Sequence, residues 1–241
     1  MTTIQANQTV GELVRLRPAL ATTFERLGID YCCGGKATLA EACARKGLDA
    51  QSVCRTLEAF ESSASSATDV DPDHLSLHDL IRHIKTKHHA YLRQELPMLS
   101  QMLARVVEAH GAMHPSLAAL AKVFAAFQEE LAAHMHKEEF VLFPMIERLE
   151  SSGQSQMFHC GNLHNPIGVM EQEHESAGDA LQRMRHLTND YTPPADACAT
   201  WRALLAGLLA LEADMHQHVH KENSILFPKA IELEAALAAG K

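Results

Sequence analysis

The chain has 241 residues, of which 46% are hydrophobic and only 5% are aromatic. The hydrophobic fraction suffices for a core, and the many Ala and Leu residues favour helices over strands. The formal net charge of −9 argues against nucleic acid as the main partner, because phosphate contacts need clustered Lys and Arg. No apolar run approaches the roughly 20 residues that cross a bilayer, and residues 1–5 do not resemble a signal peptide. We therefore expect a cytoplasmic protein that binds neither nucleic acid nor membrane.

Residues 1–62 are predicted to form a small helical domain. Thr9 is a candidate N-cap for a first short helix, and Pro18 opens a second one. Two further helices are expected in this domain, at residues 37–46 and 49–60. The small, polar stretch that follows predicts a linker over residues 63–74.

Residues 75–241 are predicted to form a bundle of four long helices. Short connections between long helices favour antiparallel neighbours, so we expect an up-down arrangement. Pro97 lies inside the first helix and is expected to kink or locally break it. The four helical patterns span about 76–110, 115–149, 166–187 and 195–238.

The second and fourth bundle helices carry a duplicated motif. Each contains His-x-x-x-Glu followed by Leu-Phe-Pro, and the two copies are offset by a constant 84 residues (218 − 134 = 84 and 222 − 138 = 84). A histidine and a glutamate four residues apart lie on the same helix face, one turn apart. Both side chains of each copy can therefore reach one site in the bundle core. The motif residues are His134 with Glu138, and His218 with Glu222.

Each copy of the motif should have a partner helix that supplies one more histidine. His174 on the third helix lies 44 residues before His218 (218 − 174 = 44). On the first helix, His89 lies 45 residues before His134 (134 − 89 = 45). However, the apolar stripe of the first helix points His88 inward at least as well as His89. The spacing fits either residue, so the pattern alone leaves this choice open.

Four histidines and two glutamates that converge in a bundle core predict a metal centre. If both glutamates bridge two six-coordinate ions, they fill four of the twelve coordination positions, the histidines fill four more, and four remain. These would take a bridging oxo or hydroxo group and leave one open position on each ion. Mixed imidazole and carboxylate ligands suit iron, with manganese or zinc as alternatives. Zinc sites tend to be four-coordinate and do not need bridging carboxylates. The prediction is a pair of iron ions, with His136 and His220 on another helix face, towards solvent or beside the site.

Specific motifs are distributed along nearly the whole chain. They are Asp30-Tyr31-Cys32-Cys33-Gly34-Gly35-Lys36 with Thr38-Leu39, Gln94-Glu95-Leu96-Pro97, His134-Met135-x-Lys137-Glu138-Glu139 with Leu142-Phe143-Pro144-Met145, Val169-Met170-Glu171-x-Glu173-His174, and Glu222-Asn223 before Leu226-Phe227-Pro228. This combination resembles the iron–sulfur cluster repair di-iron proteins, also called repair of iron centres. Members of that family join a small N-terminal domain to a hemerythrin-like bundle.

The resemblance implies an all-α fold in which an antiparallel four-helix hemerythrin-like bundle follows a small helical N-terminal domain. It favours His89 over His88, because the first-helix ligand of the family precedes the Leu-Pro pair at the distance of His89. It also implies two bound iron ions, with both glutamates as bridges. The implied iron ligands are His89, His134, Glu138, His174, His218 and Glu222.

The resemblance further implies a role in defence against nitric oxide and oxidative stress. The expected activity is repair of damaged iron–sulfur clusters, with binding or reduction of nitric oxide at the di-iron centre. The alternative is a scavenger or sensor that binds nitric oxide or dioxygen without turnover, as hemerythrins bind gas. Partners would be iron–sulfur client proteins and an electron donor, and a homodimer is an option for the assembly. Glu173 would lie beside the site and assist proton transfer.

Cys32 and Cys33 lie in a turn ahead of a predicted helix, where a thiol can become reactive. Within the resemblance, we expect them to act in thiol redox chemistry, in transfer of iron or nitric oxide, or in contact with a client protein. The alternative is a tight turn whose sulfur atoms pack against the bundle. The chain departs from the family pattern over residues 151–165, where an incidental loop is expected rather than a second metal site. The metal-binding residue types in this loop are His159, Cys160 and His164.

Overall fold

The computed structural model describes residues 4–63, 74–154 and 161–240. Most of the predicted linker at 63–74 lies outside the described residues. The same holds for His159 and Cys160 of the loop at 151–165, whereas His164 is described and exposed. Within the described part, no helix is long and apolar enough to span a membrane.

The N-terminal unit, residues 4–63, contains four short α-helices whose ends follow local sequence signals, and a 3-10 turn (Pro18–Leu20) that begins at Pro18 precedes the second of them. The Thr9 hydroxyl accepts from the Glu12 backbone N–H at 3.3 Å and caps the first helix, as predicted. Thr38 and Glu41 form a capping box at the third helix. Gly28 ends the second helix in the left-handed region. The helices are α1 (Val10–Leu16), α2 (Ala21–Leu27), α3 (Leu39–Lys46) and α4 (Ala50–Ser63).

Four long helices form the bundle, which confirms the all-α fold. The third bundle helix is continuous, whereas each of the other three is divided by a short π-helical segment. The first bundle helix is α5 (Leu77–His83), π1 (Ile84–His89) and α6 (Ala90–His110). The second is α7 (Ser116–Lys137), π2 (Glu138–Leu142) and α8 (Phe143–Ser152). The third is α9 (His164–Leu187), and the fourth is α10 (Ala199–Lys221), π3 (Glu222–Leu226) and α11 (Phe227–Ala238).

The helix break expected at Pro97 does not occur, because α6 continues through this residue. Pro97 cannot donate to the Arg93 carbonyl, but both residues are on the exposed side of α6. Water can therefore satisfy that carbonyl, and the helix persists. The interruption of the first bundle helix lies earlier, at π1.

Two hydrophobic clusters fill the bundle, one on each side of a polar layer. One cluster includes Leu92, Phe124 and Leu208, and the other includes Ile84 and Phe143. The polar layer between them contains the predicted metal ligands, all of which are buried. Packing on both sides keeps bulk water away from these polar groups.

The N-terminal unit packs against the third and fourth bundle helices. The Cys33 thiol donates to the His174 carbonyl at 3.2 Å, and Glu25 pairs with His216 Nδ1 at 2.7 Å. The Tyr31 ring lies 5.5 Å from the ring of His220. His220 is therefore buried, while its counterpart His136 is exposed. The bundle pattern alone could not predict the burial of His220, because the covering surface comes from another part of the chain.

Candidate metal centre

The six predicted ligands meet in the polar layer at the middle of the bundle. They form two groups of four that share both glutamates. We call these groups the first position and the second position. The first position comprises His89, Glu138, His218 and Glu222. The second position comprises His134, Glu138, His174 and Glu222.

Each glutamate directs one carboxylate oxygen to each position. Glu138 Oε2 lies 3.3 Å from His89 Nε2, and its Oε1 lies 3.3 Å from His134 Nε2. Glu222 Oε1 lies 3.1 Å from His218 Nε2, and its Oε2 lies 3.1 Å from His174 Nε2. This is the arrangement of two bridging carboxylates between neighbouring cations.

The ligand atoms are arranged for cations rather than for hydrogen bonds with one another. His89 Nε2 lies 3.1 Å from His218 Nε2, and His134 Nε2 lies 3.0 Å from His174 Nε2. Both oxygens of Glu138 are buried without a hydrogen bond from any described group. Ligands at right angles around an ion with bonds of about 2.1 Å are separated by about 3.0 Å. The separations of 3.0 to 3.3 Å within each group are those of ligands that share one metal ion.

Hydrogen bonds at Nδ1 orient three of the four ligand histidines. His89 Nδ1 lies 2.7 Å from Glu139 Oε1, and His174 Nδ1 lies 2.9 Å from Asn223 Oδ1. His134 Nδ1 lies 2.9 Å from the carboxylate of Glu173. These acceptors hold the hydrogen on Nδ1 and direct the lone pair of Nε2 into the site. Two lone pairs that face each other at 3.0 Å repel, and a cation between them removes the repulsion.

The electrostatic potential in the polar layer favours positive charge. Burial lowers the pKa of His134, but Glu138, Glu222 and Glu173 outweigh this effect and raise the pKa to about 9. Burial raises the pKa of Glu222, but His218 and His174 outweigh it and hold this pKa well below its usual range. The carboxylates therefore remain ionised, and a metal cation can supply the charge that the imidazoles would otherwise acquire. The residues present thus fit a pair of cations.

His88, the alternative to His89 on the first helix, is also buried but lies outside both groups. Its Nδ1 lies 2.9 Å from Asp214 Oδ1, and its Nε2 lies 2.9 Å from Lys221 Nζ. Its ring stacks on His218 at 5.3 Å. Both His88 and His89 point inward because π1 widens the helix at these residues.

Glu173 lies at the edge of the site and links it to solvent. Its carboxylate contacts His134 on one side and the ammonium group of Lys137 on the other. About a third of its side chain is exposed. Glu173 therefore contacts both a predicted ligand and solvent.

Cys32 and Cys33 lie next to the metal centre. Their sulfur atoms are 3.7 Å apart, and Asp30 accepts backbone hydrogen bonds from both residues. The contact with Cys33 and burial raise the pKa of Cys32 well above its usual value. A cleft of 420 Å³ opens beside both thiols and is also lined by Lys36 and Asn223. The Cys33 hydrogen bond to the His174 carbonyl connects this dithiol directly to a ligand residue.

The acceptors at Nδ1 were only partly predicted from the sequence. Glu139 and Asn223 each follow a bridging glutamate and are equivalent in the duplication (223 − 139 = 84). Both orient a histidine on the partner helix. Their constant place directly after the duplicated glutamate is the sequence signal that marks these two residues.

A four-helix bundle with paired histidines and two shared glutamates defines the hemerythrin-like class of cation-binding proteins. The family model for the hemerythrin HHE cation binding domain matches residues 79–230, and a domain of unknown function, ScdA_N (DUF542), matches residues 6–61. The family implies iron binding. The chain belongs to the family of iron–sulfur cluster repair proteins represented by YtfE.

Similarity to proteins of that name extends over most of the chain. The iron-sulfur cluster repair protein YtfE of Enterobacter sp. (strain 638) is 38% identical over 225 residues, which cover 93% of this chain and 97% of the relative. The protein of the same name from Escherichia coli O157:H7 shows the same identity and coverage. The relative from Citrobacter koseri is 37% identical over the same length.

Proposed function

We propose that this chain holds two iron ions, one at each position, and uses them to repair iron–sulfur clusters damaged by nitric oxide or oxidative stress. The observation that carries the proposal is the pair of four-residue groups that share both glutamates. The repair role is supported by relatives named for iron–sulfur cluster repair that match over 93% of the chain. The ligands are His89, His134, Glu138, His174, His218 and Glu222, with an oxo or hydroxo group as a further bridge.

The side chains around the site orient the ligands, exclude water and transfer protons. Iron held by these residues would supply redox chemistry and would bind nitric oxide or dioxygen. Glu139, Glu173 and Asn223 hold the ligand imidazoles in place. The hydrophobic clusters on either side exclude water, and Glu173 carries protons between solvent and the polar layer.

The dithiol is the second functional element of the proposal. Cys32 and Cys33 border an open cleft, and Cys33 contacts the backbone of the ligand His174. A client protein that reaches this cleft would meet both sulfur atoms, and Cys33 Sγ is in direct contact with the carbonyl of His174. We assign to the dithiol redox chemistry or transfer of iron or nitric oxide at a client iron–sulfur protein, with an electron donor as a further partner. A cytoplasmic location and a homodimer belong to the same proposal.

The first test measures iron stoichiometry and the visible spectrum of anaerobically purified protein, before and after addition of nitric oxide. Two irons per chain, oxo-bridge charge-transfer bands after oxidation and a change with nitric oxide are expected. No iron, or one tightly held zinc ion, contradicts the proposed centre.

The second test measures repair itself. A client enzyme with a nitric-oxide-damaged [4Fe–4S] cluster is incubated with the iron-loaded protein, and recovery of the cluster is followed. Recovery should require the loaded protein and fail with a Glu138→Leu, Glu222→Leu double variant. Stoichiometric gas binding without recovery would instead support the scavenger or sensor. Steady consumption of nitric oxide with an electron donor would show that it is also turned over.

A further inference from the structure

The duplication allows the surroundings of the two positions to be compared residue by residue. On the second and fourth helices, equivalent residues are 84 apart, so Lys137 corresponds to Lys221 (221 − 137 = 84). On the first and third helices, the ligands His89 and His174 are 85 apart (174 − 89 = 85). The residue before each of these ligands is therefore also equivalent. By this correspondence, His88 takes the place of Glu173.

At the second position, both ligand imidazoles have an acceptor at Nδ1. His134 Nδ1 lies 2.9 Å from Glu173 Oε2, and the other oxygen of this carboxylate contacts Lys137. His174 Nδ1 lies 2.9 Å from Asn223 Oδ1. Each imidazole is thus held in one orientation, and the carboxylate increases the basicity of His134.

At the first position, only one ligand imidazole has such an acceptor. His89 Nδ1 lies 2.7 Å from Glu139 Oε1. His218 Nδ1, by contrast, is buried without a hydrogen-bond partner among the described residues. The residue equivalent to Glu173 is His88, whose ring stacks on His218 instead of accepting its hydrogen.

His88 also contacts the groups that could otherwise serve His218. Asp214 lies one helical turn before His218, but its Oδ1 contacts His88 Nδ1 at 2.9 Å, and its Oδ2, although buried without a hydrogen-bond partner among the described residues, makes no hydrogen bond with His218 Nδ1. Lys221 contacts His88 Nε2 at 2.9 Å, as Lys137 contacts Glu173 in the other half. The charges of Asp214 and Lys221 compensate each other. Glu139, which corresponds to the neutral Asn223, is paired with Arg93 at 2.7 Å. With these charges paired, the two positions differ in the hydrogen bond to one ligand rather than in net charge.

We propose that the two metal positions are unequal, and that the ion held by His89 and His218 is released first. This inference rests on the proposed two-ion centre and goes beyond it by assigning the releasable ion to one position. Both bridging glutamates serve the two positions equally, so the unsupported imidazole of His218 decides the order of release. Loss of the hydrogen-bonded partner of a ligand histidine typically weakens metal binding about 10- to 100-fold.

Stopped-flow iron release tests the order of release. The diferrous protein is mixed anaerobically with an excess of a coloured ferrous chelator, and absorbance reports each ion that leaves. Two phases of equal amplitude are expected, with rates that differ about 10- to 100-fold. A single phase that releases two irons per chain would overturn the inference and leave the proposed centre intact. Fewer than two irons per chain at the start would contradict the centre itself.

Substitutions that exchange the residue types of His88 and Glu173 identify which release phase belongs to which metal position. Glu173→His removes the acceptor of His134 at a partly exposed residue, and it should accelerate the slow phase about 10- to 100-fold. His88→Glu supplies the missing carboxylate, and it should slow the fast phase. His136→Ala, at an exposed residue of the second helix, should leave both phases unchanged. If Glu173→His accelerates neither phase, or accelerates only the fast one, the inference is wrong.

A crystal of half-depleted wild-type protein gives an answer that needs no variant. After removal of one iron equivalent, iron anomalous scattering should remain between His134 and His174. A stronger signal between His89 and His218 would show the opposite order and overturn the inference.

Discussion

At the scale of single residues, spacing predicted which side chains would meet, but not which groups support them. Four of the six ligands came from the His-x-x-x-Glu repeats, because helical spacing fixes the face on which those residues lie. His174 came from the spacing between the two halves, and the choice of His89 over His88 came from the family resemblance. The acceptors of the Nδ1 hydrogens depend on contacts between helices. No periodicity in one helix reveals that Glu139 faces His89, or that His88 and Asp214 pair with each other.

The bridging role of the glutamates predicts an unequal response to substitution. Glu138→Leu or Glu222→Leu removes one ligand atom from each position, so iron content should fall to less than about half. His136→Ala should retain full iron content, because this side chain is exposed on the same helix as Glu138. Iron per chain, measured by elemental analysis, checks this prediction. Equal loss in all three variants would refute the ligand assignment.

The cysteines should differ in their reactivity and in its pH dependence. Backbone N–H groups of Trp201 and Thr200, together with His110, lower the pKa of the exposed Cys198 thiol. The contact with Cys33 and burial raise the pKa of Cys32 well above its usual value. Since the thiolate is the nucleophile, Cys198 should be alkylated about 10-fold or more faster at pH 7.

Peptide mass spectrometry after timed exposure to iodoacetamide measures both alkylation rates. The rate at Cys198 should approach its plateau at a lower pH than the rate at Cys32. The same pH midpoint at both residues would contradict the assigned environments.

At the scale of secondary-structure elements, the sequence predicted the helices well and their internal irregularities poorly. The capped start of α1 and the four bundle helices were confirmed close to the expected residues. The segments π1, π2 and π3 were not predicted, because a helical pattern is analysed with one fixed angle per residue. Each π segment contains a ligand or begins with one, as is frequent at functional sites. The added width explains why two consecutive histidines both face inward.

Two glycines in the bundle helices predict opposite effects of the same substitution. A Cβ at Gly207 of α10 would lie 2.5 Å from Leu99 Cδ2, and Leu99 is fully buried. Gly207→Ala should therefore lower the free energy of unfolding by about 1–3 kcal/mol through overpacking. A Cβ at Gly168 of α9 meets nothing within 4 Å. Gly168→Ala should raise the free energy of unfolding by about 0.5–1 kcal/mol.

Thermal unfolding of the two iron-loaded variants decides between packing and helix propensity. A shift of the melting temperature in the same direction for both would contradict close contact between α6 and α10. Iron content should remain unchanged in both variants, since neither glycine touches a ligand.

At the scale of the whole molecule, the docking of the N-terminal unit on the bundle could not be predicted from the sequence. The linker length and the duplicated bundle motif contain no information about which bundle face it covers. In the structure, Glu25 joins the two parts through its contact with His216 Nδ1 at 2.7 Å, and within the N-terminal unit it also accepts from the hydroxyl of Tyr31 at 3.0 Å. The burial of His220 follows from the same contact surface.

Substitution of Glu25 should loosen this docking. Glu25→Ala removes the partner of His216 on the bundle and leaves the buried hydroxyl of Tyr31, whose ring packs on His220, without its acceptor, which costs about 1–3 kcal/mol. Alkylation of Cys32 should accelerate about 10-fold as the docked state opens more often. Lys36→Ala is the control, because its ion pair with Glu171 is largely exposed and contributes little. Equal acceleration in both variants would rule out Glu25 as the main contact.

Iron removal should destabilise the whole bundle. Each ion present at about 100 times its dissociation constant adds about 2.7 kcal/mol, so two ions add about 5 kcal/mol. For a chain of this size, that corresponds to a melting temperature lower by about 10–20 °C after chelation. Calorimetry of loaded and chelated protein measures the shift. The Glu138→Leu, Glu222→Leu double variant should show no dependence on chelator.

The hydrogen bond from Cys33 to the His174 carbonyl has a thermodynamic consequence. A change at the sulfur that breaks this bond would act on the backbone of the proposed iron ligand His174, and iron binding there would act on the thiol in return. Equilibrium linkage requires the two effects to be equal. If oxidation of the dithiol weakens iron binding by some factor, iron binding must disfavour oxidation of the dithiol by that same factor. The chain would then act as a reciprocal switch, in which the metal protects the thiols until the thiols release the metal.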